Sequence, residues 1–216
     1  ITLFMILHLK KKYFWSGLAM GLAQLTKPQG IVFFAGIAIY YLMQVLITRK
    51  VSLFRGIKEF APYLLIPLSL IGVFTLYYFK FGDFFIFLRN EAFPTMQLPP
   101  LKVLMAKEIM NFPLGFWTGW LEFIVYTYIL YLLGIVLLFE KKQYFFSVVA
   151  LIYFLPVLTF VQADMARFIL PILPFIYLGY SDILSKKPVY TTLFLSLPMV
   201  FLFTIGYINY NLAPLP

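Results

Sequence analysis

Apolar runs of membrane-spanning length, each flanked at one end by a small cluster of lysines and arginines, leave this chain few folds to adopt. Residues 31–48, 60–79, 116–139, 144–161, 168–184 and 189–208 form such runs. A helix needs ~20 apolar residues to cross the ~30 Å hydrocarbon core of a bilayer. A transmembrane barrel would instead show alternating segments of about 10 residues, and the sequence has none. With 63% hydrophobic and 12% charged residues, there is too little polar surface for a soluble globule. The expectation is an all-α, polytopic transmembrane helical bundle forming a single membrane domain over residues 1–216. It implies an integral, multi-pass protein in contact with membrane lipid.

The charge pattern sets the expected topology. A net charge of +9 would suggest nucleic acid in a soluble chain, but here the cations sit at the ends of apolar runs. Topology explains them, and no nucleic-acid partner is predicted. Lys10, Lys11, Lys12, Arg49, Lys50, Arg55, Lys58, Lys141, Lys142, Lys186 and Lys187 are 11 of the 17 basic residues and fall on one side, read as cytoplasmic. Lys27, Lys80, Arg89, Lys102, Lys107 and Arg167 fall on the other. Three polar islands share that second side: the break at residues 26–30, the loop around Asp83, and the turn carrying Asp164 and Arg167.

The first island, Leu25-Thr26-Lys27-Pro28-Gln29-Gly30, interrupts two apolar segments and predicts a short broken helix pair. A lysine, a glutamine and a helix-breaking Pro and Gly are costly in hydrocarbon unless they are packed in protein or line a wet cavity. The helix before it, residues 13–25, reaches only about 20 Å. It carries Gly17 and Gly21 at the spacing that lets helix backbones approach closely. Pro67, Pro171 and Pro174 predict bends in later spans. The long loop, residues 80–115, holds Asp83, Glu91 and Glu108. Within it Leu101, Leu104, Met105, Ile109 and Phe112 share one helical face, which predicts an external, interfacial amphipathic helix.

The absences narrow the chemistry. There is no cysteine, so disulfides, thiolate metal sites and cysteine nucleophiles are excluded. His8 stands alone and reads as an interfacial residue at a helix end. No metal signature, phosphate-cradling Gly-rich loop, serine-nucleophile motif or N-glycosylation acceptor occurs. No cofactor is identified, and soluble-type ATP chemistry is removed, whereas lipid-linked chemistry is not. The chain starts at Ile1 inside an apolar run without the charged start of a signal peptide. It is therefore expected to be a C-terminal fragment.

The islands offer anion-binding and carboxylate chemistry. Lys27 and Arg167 are cations beside helix ends, and an anionic group could sit between them. Arginine binds phosphate in bidentate fashion and lysine adds a point charge. The helix starting at Gly30 presents an N-terminus that favours anions. The plain alternative is that both cations reach the outer headgroups and pair with Asp164 or Glu91. Asp83 could act as a general base or hold a sugar hydroxyl, but a loop aspartate also serves as a helix cap or solvated turn residue. Glu91 and Asp164 have the same two readings. Glu122 reads as an interfacial or structural residue. Trp117 and Trp120 read first as packing or belt residues, though they could also shape a sugar or lipid pocket.

These residues resemble a known family. Gly21-Leu22-Ala23-Gln24-Leu25-Thr26-Lys27-Pro28-Gln29-Gly30 resembles the Leu-Thr-Arg-Pro-x-Gly segment of polytopic C-type glycosyltransferases, with Lys27 where the family has arginine. Phe81-Gly82-Asp83-Phe84-Phe85-Ile86-Phe87, followed by Pro99-Pro100, is similar to the Gly-Asp-Pro-Leu-Ala-Phe loop of the GPI mannosyltransferase II family and its prokaryotic relatives. Met165-Ala166-Arg167-Phe168-Ile169-Leu170-Pro171 and Pro174 resemble that family's Arg-Tyr-x-Leu-x-x-Phe-Pro segment. The motifs keep the family order across roughly residues 13 to 180.

The resemblance implies transfer of a sugar, with mannose expected, from a polyprenyl-phosphate carrier to a glycan or lipid acceptor at the non-cytoplasmic face. The membrane would be the plasma membrane in a prokaryote and the endoplasmic reticulum in a eukaryote. Lys27 and Arg167 are expected on the donor phosphate, with Gln29, Asp83 and Glu91 on sugar or acceptor. The family's key carboxylate lies in a first external loop, so the catalytic base is expected upstream of this sequence. The alternative is a lipid-linked oligosaccharide transporter or other non-enzymatic membrane carrier, in which the same cations line a passage. A scaffold subunit is the third reading.

Overall fold

The computed structural model describes residues 1–27, 29–47, 52–89, 98–105, 114–160 and 165–209, and every regular element among them is helical. The α-helices are α1 (Thr2–Leu9), α2 (Tyr13–Thr26), α3 (Gly30–Leu42), α4 (Leu53–Phe60), α5 (Leu65–Phe81), α6 (Ile86–Arg89), α7 (Leu114–Glu140), α8 (Tyr144–Val157), α9 (Met165–Ile169), α10 (Leu173–Gly179), α11 (Ser181–Leu184) and α12 (Lys187–Asn209). Among the described residues, three continuous helical stretches are long and apolar enough to cross a membrane: Gly30–Ile47, Leu53–Phe81 and Glu122–Glu140, with mean hydropathies of 2.1, 1.8 and 2.1.

Several expected boundaries move, for identifiable reasons. The span placed at residues 60–79 starts earlier, so Arg55 and Lys58 sit on a helix rather than in a loop. Leu53, Phe54, Ile57 and Phe60 recur at helical spacing, and Arg55 Nε pairs with Glu59 Oε1 at 2.9 Å across one turn. Pro62 does not stop the chain, because it sits at the start of a 3-10 turn, Ala61–Leu64, where its missing N–H is not needed. Pro67 lies in the first turn of α5 and produces no break there for the same reason. Pro171 does mark a break: α9 passes into a 3-10 turn, Leu170–Ile172, before α10 resumes. Of the expected loop helix, Lys102–Met105 is a 3-10 turn, and Ile109 and Phe112 lie outside the described residues. That turn is docked by Leu101 N–H, which donates to the Leu158 carbonyl at 2.7 Å.

Packing pairs α3 with α8, α2 with α5 and α7 with α10. Between them runs a core of large rings and aliphatics, including Phe4, Phe33, Phe146 and Phe175, all essentially inaccessible. The glycine spacing of α2 has the expected use: a Cβ on Gly17 would collide with the Pro62 carbonyl oxygen. The crossing of α7 and α10 is equally close, since a Cβ on Gly179 would strike the Gly134 carbonyl oxygen. Just beyond that crossing, Lys141 Nζ donates to Ser181 Oγ at 2.6 Å and to the Leu178 carbonyl at 3.3 Å, and pairs with Asp182 at 3.0 Å.

The two ends of the packet differ in content. The α1–α2 turn, the end of α3, the α4–α5 junction and the start of α8 meet at the basic end. His8 Nδ1 lies 2.6 Å from Tyr63 Oη there. The His8 ring stacks on Phe145 at 3.5 Å with planes 11° apart. Ser16 Oγ donates to the Phe4 carbonyl at 3.0 Å, and Tyr63 Oη lies 3.5 Å from Ser16 Oγ. The expected helix-end position of His8 is observed, and its ring is built into a part-buried knot.

Candidate functional site

At the opposite end, α2 finishes at Thr26, whose Oγ1 donates to the Ala23 carbonyl at 2.7 Å and so closes the last turn. Lys27 leaves in an extended conformation with φ −151° and ψ 120°. Gln29 then precedes α3, which begins at Gly30. Glycine lets the two segments approach closely here, because a Cβ at this start would meet Gln24 Oε1 and require the buried Gln24 side chain to shift. The break therefore folds back on α2 instead of standing away from it. It also consumes part of its own helix terminus: Gly30 N–H donates to the Lys27 carbonyl at 3.3 Å and Val32 N–H to the Gln29 carbonyl at 3.1 Å. Those two amides are not offered to an anion, so the cations carry most of any anion attraction.

Arg167 arrives from α9, more than a hundred residues later, and meets this break around one ring. Lys27 Nζ is 5.4 Å and Arg167 Cζ 5.9 Å from the centroid of Phe168. Both cationic side chains are exposed, whereas Phe168 is buried. The joint between the two segments is Tyr153 of α8, 3% exposed. Its hydroxyl lies within hydrogen-bond distance of both Gln29 Oε1 and the Phe168 carbonyl oxygen, each at 3.0 Å. Its ring lies 4.5 Å from that of Phe33 on α3. A cavity of about 250 Å³ opens beside this joint, lined at its polar side by Thr26, Lys27, Gln29 and Tyr153 and at its apolar side by residues including Met20 and Pro171.

Three expected site residues thus converge: Lys27, Gln29 and Arg167. Asp83 does not join them. It follows Gly82, whose positive φ of 72° ends α5. Asp83 Oδ1 accepts the Phe85 N–H at 2.9 Å and Oδ2 pairs with Arg89 at 3.0 Å. Both carboxylate oxygens serve this local turn. Glu91 and Asp164 lie outside the described residues. Among the described residues no carboxylate lines the cavity, and none form a metal-ligating group of three or more His, Cys, Asp or Glu.

Tyr153 is the member that sequence reasoning missed. Its signal is faint: a tyrosine inside the apolar run from residue 144, with a hydroxyl that needs a partner wherever it is buried. A second, smaller cavity of about 100 Å³ lies on the other side of α2's last turn and shares Thr26 with the first. Comparison with protein-family models, curated proteins and solved structures gives no match to this chain.

Proposed function

We propose that this chain is a multi-pass membrane glycosyltransferase that takes a sugar, mannose by the resemblance, from a polyprenyl-phosphate donor and gives it to a glycan or lipid acceptor at the non-cytoplasmic face. The observation that carries the reading is the convergence of Lys27, Gln29 and Arg167 on Phe168 and Tyr153 beside a cavity with apolar walls. Lys27 on the polar side of such a cavity, with Arg167 near the same Phe168 ring, suits an amphiphile with a charged phosphate and a hydrocarbon body.

In the proposed reaction the bond between the anomeric carbon and the phosphate oxygen breaks, the electron pair leaves with the phosphate, and the sugar becomes oxocarbenium-like. Lys27 and Arg167 stabilise the charge that accumulates on the departing phosphate. The acceptor hydroxyl forms the new bond and loses its proton to a base that is not among the residues lining this cavity. The eleven cations that the sequence count assigns to the cytoplasmic side support an orientation with this cavity away from the cytoplasm.

The test follows transfer of labelled mannose from its lipid carrier by the complete protein and by Arg167→Ala. At limiting donor the variant is expected to lose about 10²-fold or more in rate, as for removal of one charge-stabilising group. Unchanged transfer would remove Arg167 from the donor site, and binding without any transfer by the complete protein would favour a carrier.

A further inference from the structure

The geometry around Tyr153 bears on which phosphate ligand the cavity takes. A phenol has one proton and two acceptor lone pairs, yet Tyr153 Oη stands 3.0 Å from two oxygens at once, Gln29 Oε1 and the Phe168 carbonyl. The Phe168 carbonyl has the stronger claim on that proton. Three residues on, Pro171 has no N–H to give it. The next residue, Ile172, belongs to the 3-10 turn Leu170–Ile172, whose pattern directs its N–H three residues back, to Ile169. A buried carbonyl left without a donor costs about 1–3 kcal/mol, so the hydroxyl of Tyr153 completes it.

With its proton committed to Phe168, Tyr153 Oη faces Gln29 with lone pairs only. An amide oxygen in that position would oppose them oxygen to oxygen. The amide nitrogen in the same place, with the group turned end for end, donates a hydrogen bond instead, because the two ends of a glutamine amide have nearly the same shape. We infer that Tyr153 is a positioning residue that holds the Gln29 amide with its NH₂ on Tyr153 and its carbonyl oxygen toward the cavity. The site then presents Lys27 and Arg167 to a phosphate and, beside them, an acceptor that needs a hydroxyl donor. That set selects a glycosyl phosphate over a bare lipid phosphate, which has no hydroxyl at that place. This inference rests on the phosphate reading above.

The experiment measures the Kd of polyprenyl phosphate and of mannosyl polyprenyl phosphate for the full chain in lipid nanodiscs, alongside Tyr153→Phe and Gln29→Leu. The unsubstituted chain should prefer the mannosylated lipid by about tenfold, the worth of one good hydrogen bond. Tyr153→Phe keeps the ring against Phe33 and should bring the preference close to unity while leaving the Kd for polyprenyl phosphate within about twofold. Gln29→Leu should do the same with the Tyr153–Phe168 bond intact, and it stands in if Tyr153→Phe does not fold. A preference that survives either substitution in a folded protein overturns the inference, as does loss of affinity for both lipids on Tyr153→Phe while Gln29→Leu keeps the preference. Equal binding of the two lipids by the unsubstituted chain overturns it and leaves the phosphate reading standing. No binding of either lipid overturns both.

Discussion

The two ends of the helix packet use the same ingredients, aromatic rings and a few polar side chains, to opposite effect. At the basic end, His8, Ser16 and Tyr63 direct their polar atoms at one another or at the Phe4 carbonyl, and Phe145 covers the imidazole. That end is a knot, and the lysines that surround it stay on its outside. At the other end the buried hydroxyl of Tyr153 also ties separate helices together, but Lys27 stays exposed where it lines a cavity and Arg167 stays exposed near the same Phe168 ring. Polar groups that answer each other across helices hold a fold. Lys27 and Arg167 instead keep their charged ends exposed, where a ligand outside the packet can reach them.

Substitutions that break one end and spare the other test this contrast. The largest effect on stability is expected from Tyr63→Ala, which removes a fully buried ring and the partner of His8. It should cost about 3–5 kcal/mol in unfolding measured by denaturant titration in detergent. His8→Phe keeps a ring stacked on Phe145 and loses the hydrogen bond, so about 1 kcal/mol is expected in the same titration. A cost near that of Tyr63→Ala would mean that the imidazole does more than pack. Lys27→Ala should leave the unfolding midpoint within a few tenths of a kcal/mol, as for exposed charges generally, while polyprenyl phosphate binding weakens about tenfold or more. A large loss of stability with unchanged binding would make the cavity end structural too. Arg55→Ala is expected to change neither quantity, since its pair with Glu59 is a single exposed turn-to-turn contact.

What the sequence makes legible is what depends on neighbours along the chain. The break at residues 26–30, the bend at Pro171 and the glycine crossing at Gly17 all follow from local residue chemistry, and counting cations is enough to place Lys27 and Arg167 on one side. Partners far apart in sequence are not legible. The knot needs Tyr63 beside His8, 55 positions away, and the cavity joint needs Tyr153 beside Gln29, 124 positions away. In an apolar run rich in Phe and Tyr, nothing local distinguishes the tyrosine that reaches a partner from one that faces lipid. The start of α4 is hidden for another reason: Arg55 and Lys58 look like the end of a span when composition is weighed before the spacing of Leu53, Ile57 and Phe60. Asp83 is open to two readings in the sequence, and its surroundings supply the turn chemistry of the plainer one.

The glycine crossing of α7 and α10 has a mechanical meaning. Gly134 and Gly179 bring the two backbones into contact, and Lys141 fastens the next turn down. On the far side of α10 the chain passes through the three residues Leu170–Ile172 before reaching the segment that carries Arg167. The crossing therefore anchors one side of the Pro171 break, the phenol of Tyr153 ties the other side to α8 through the Phe168 carbonyl, and the 3-10 turn between them fixes the direction in which α9 carries Arg167.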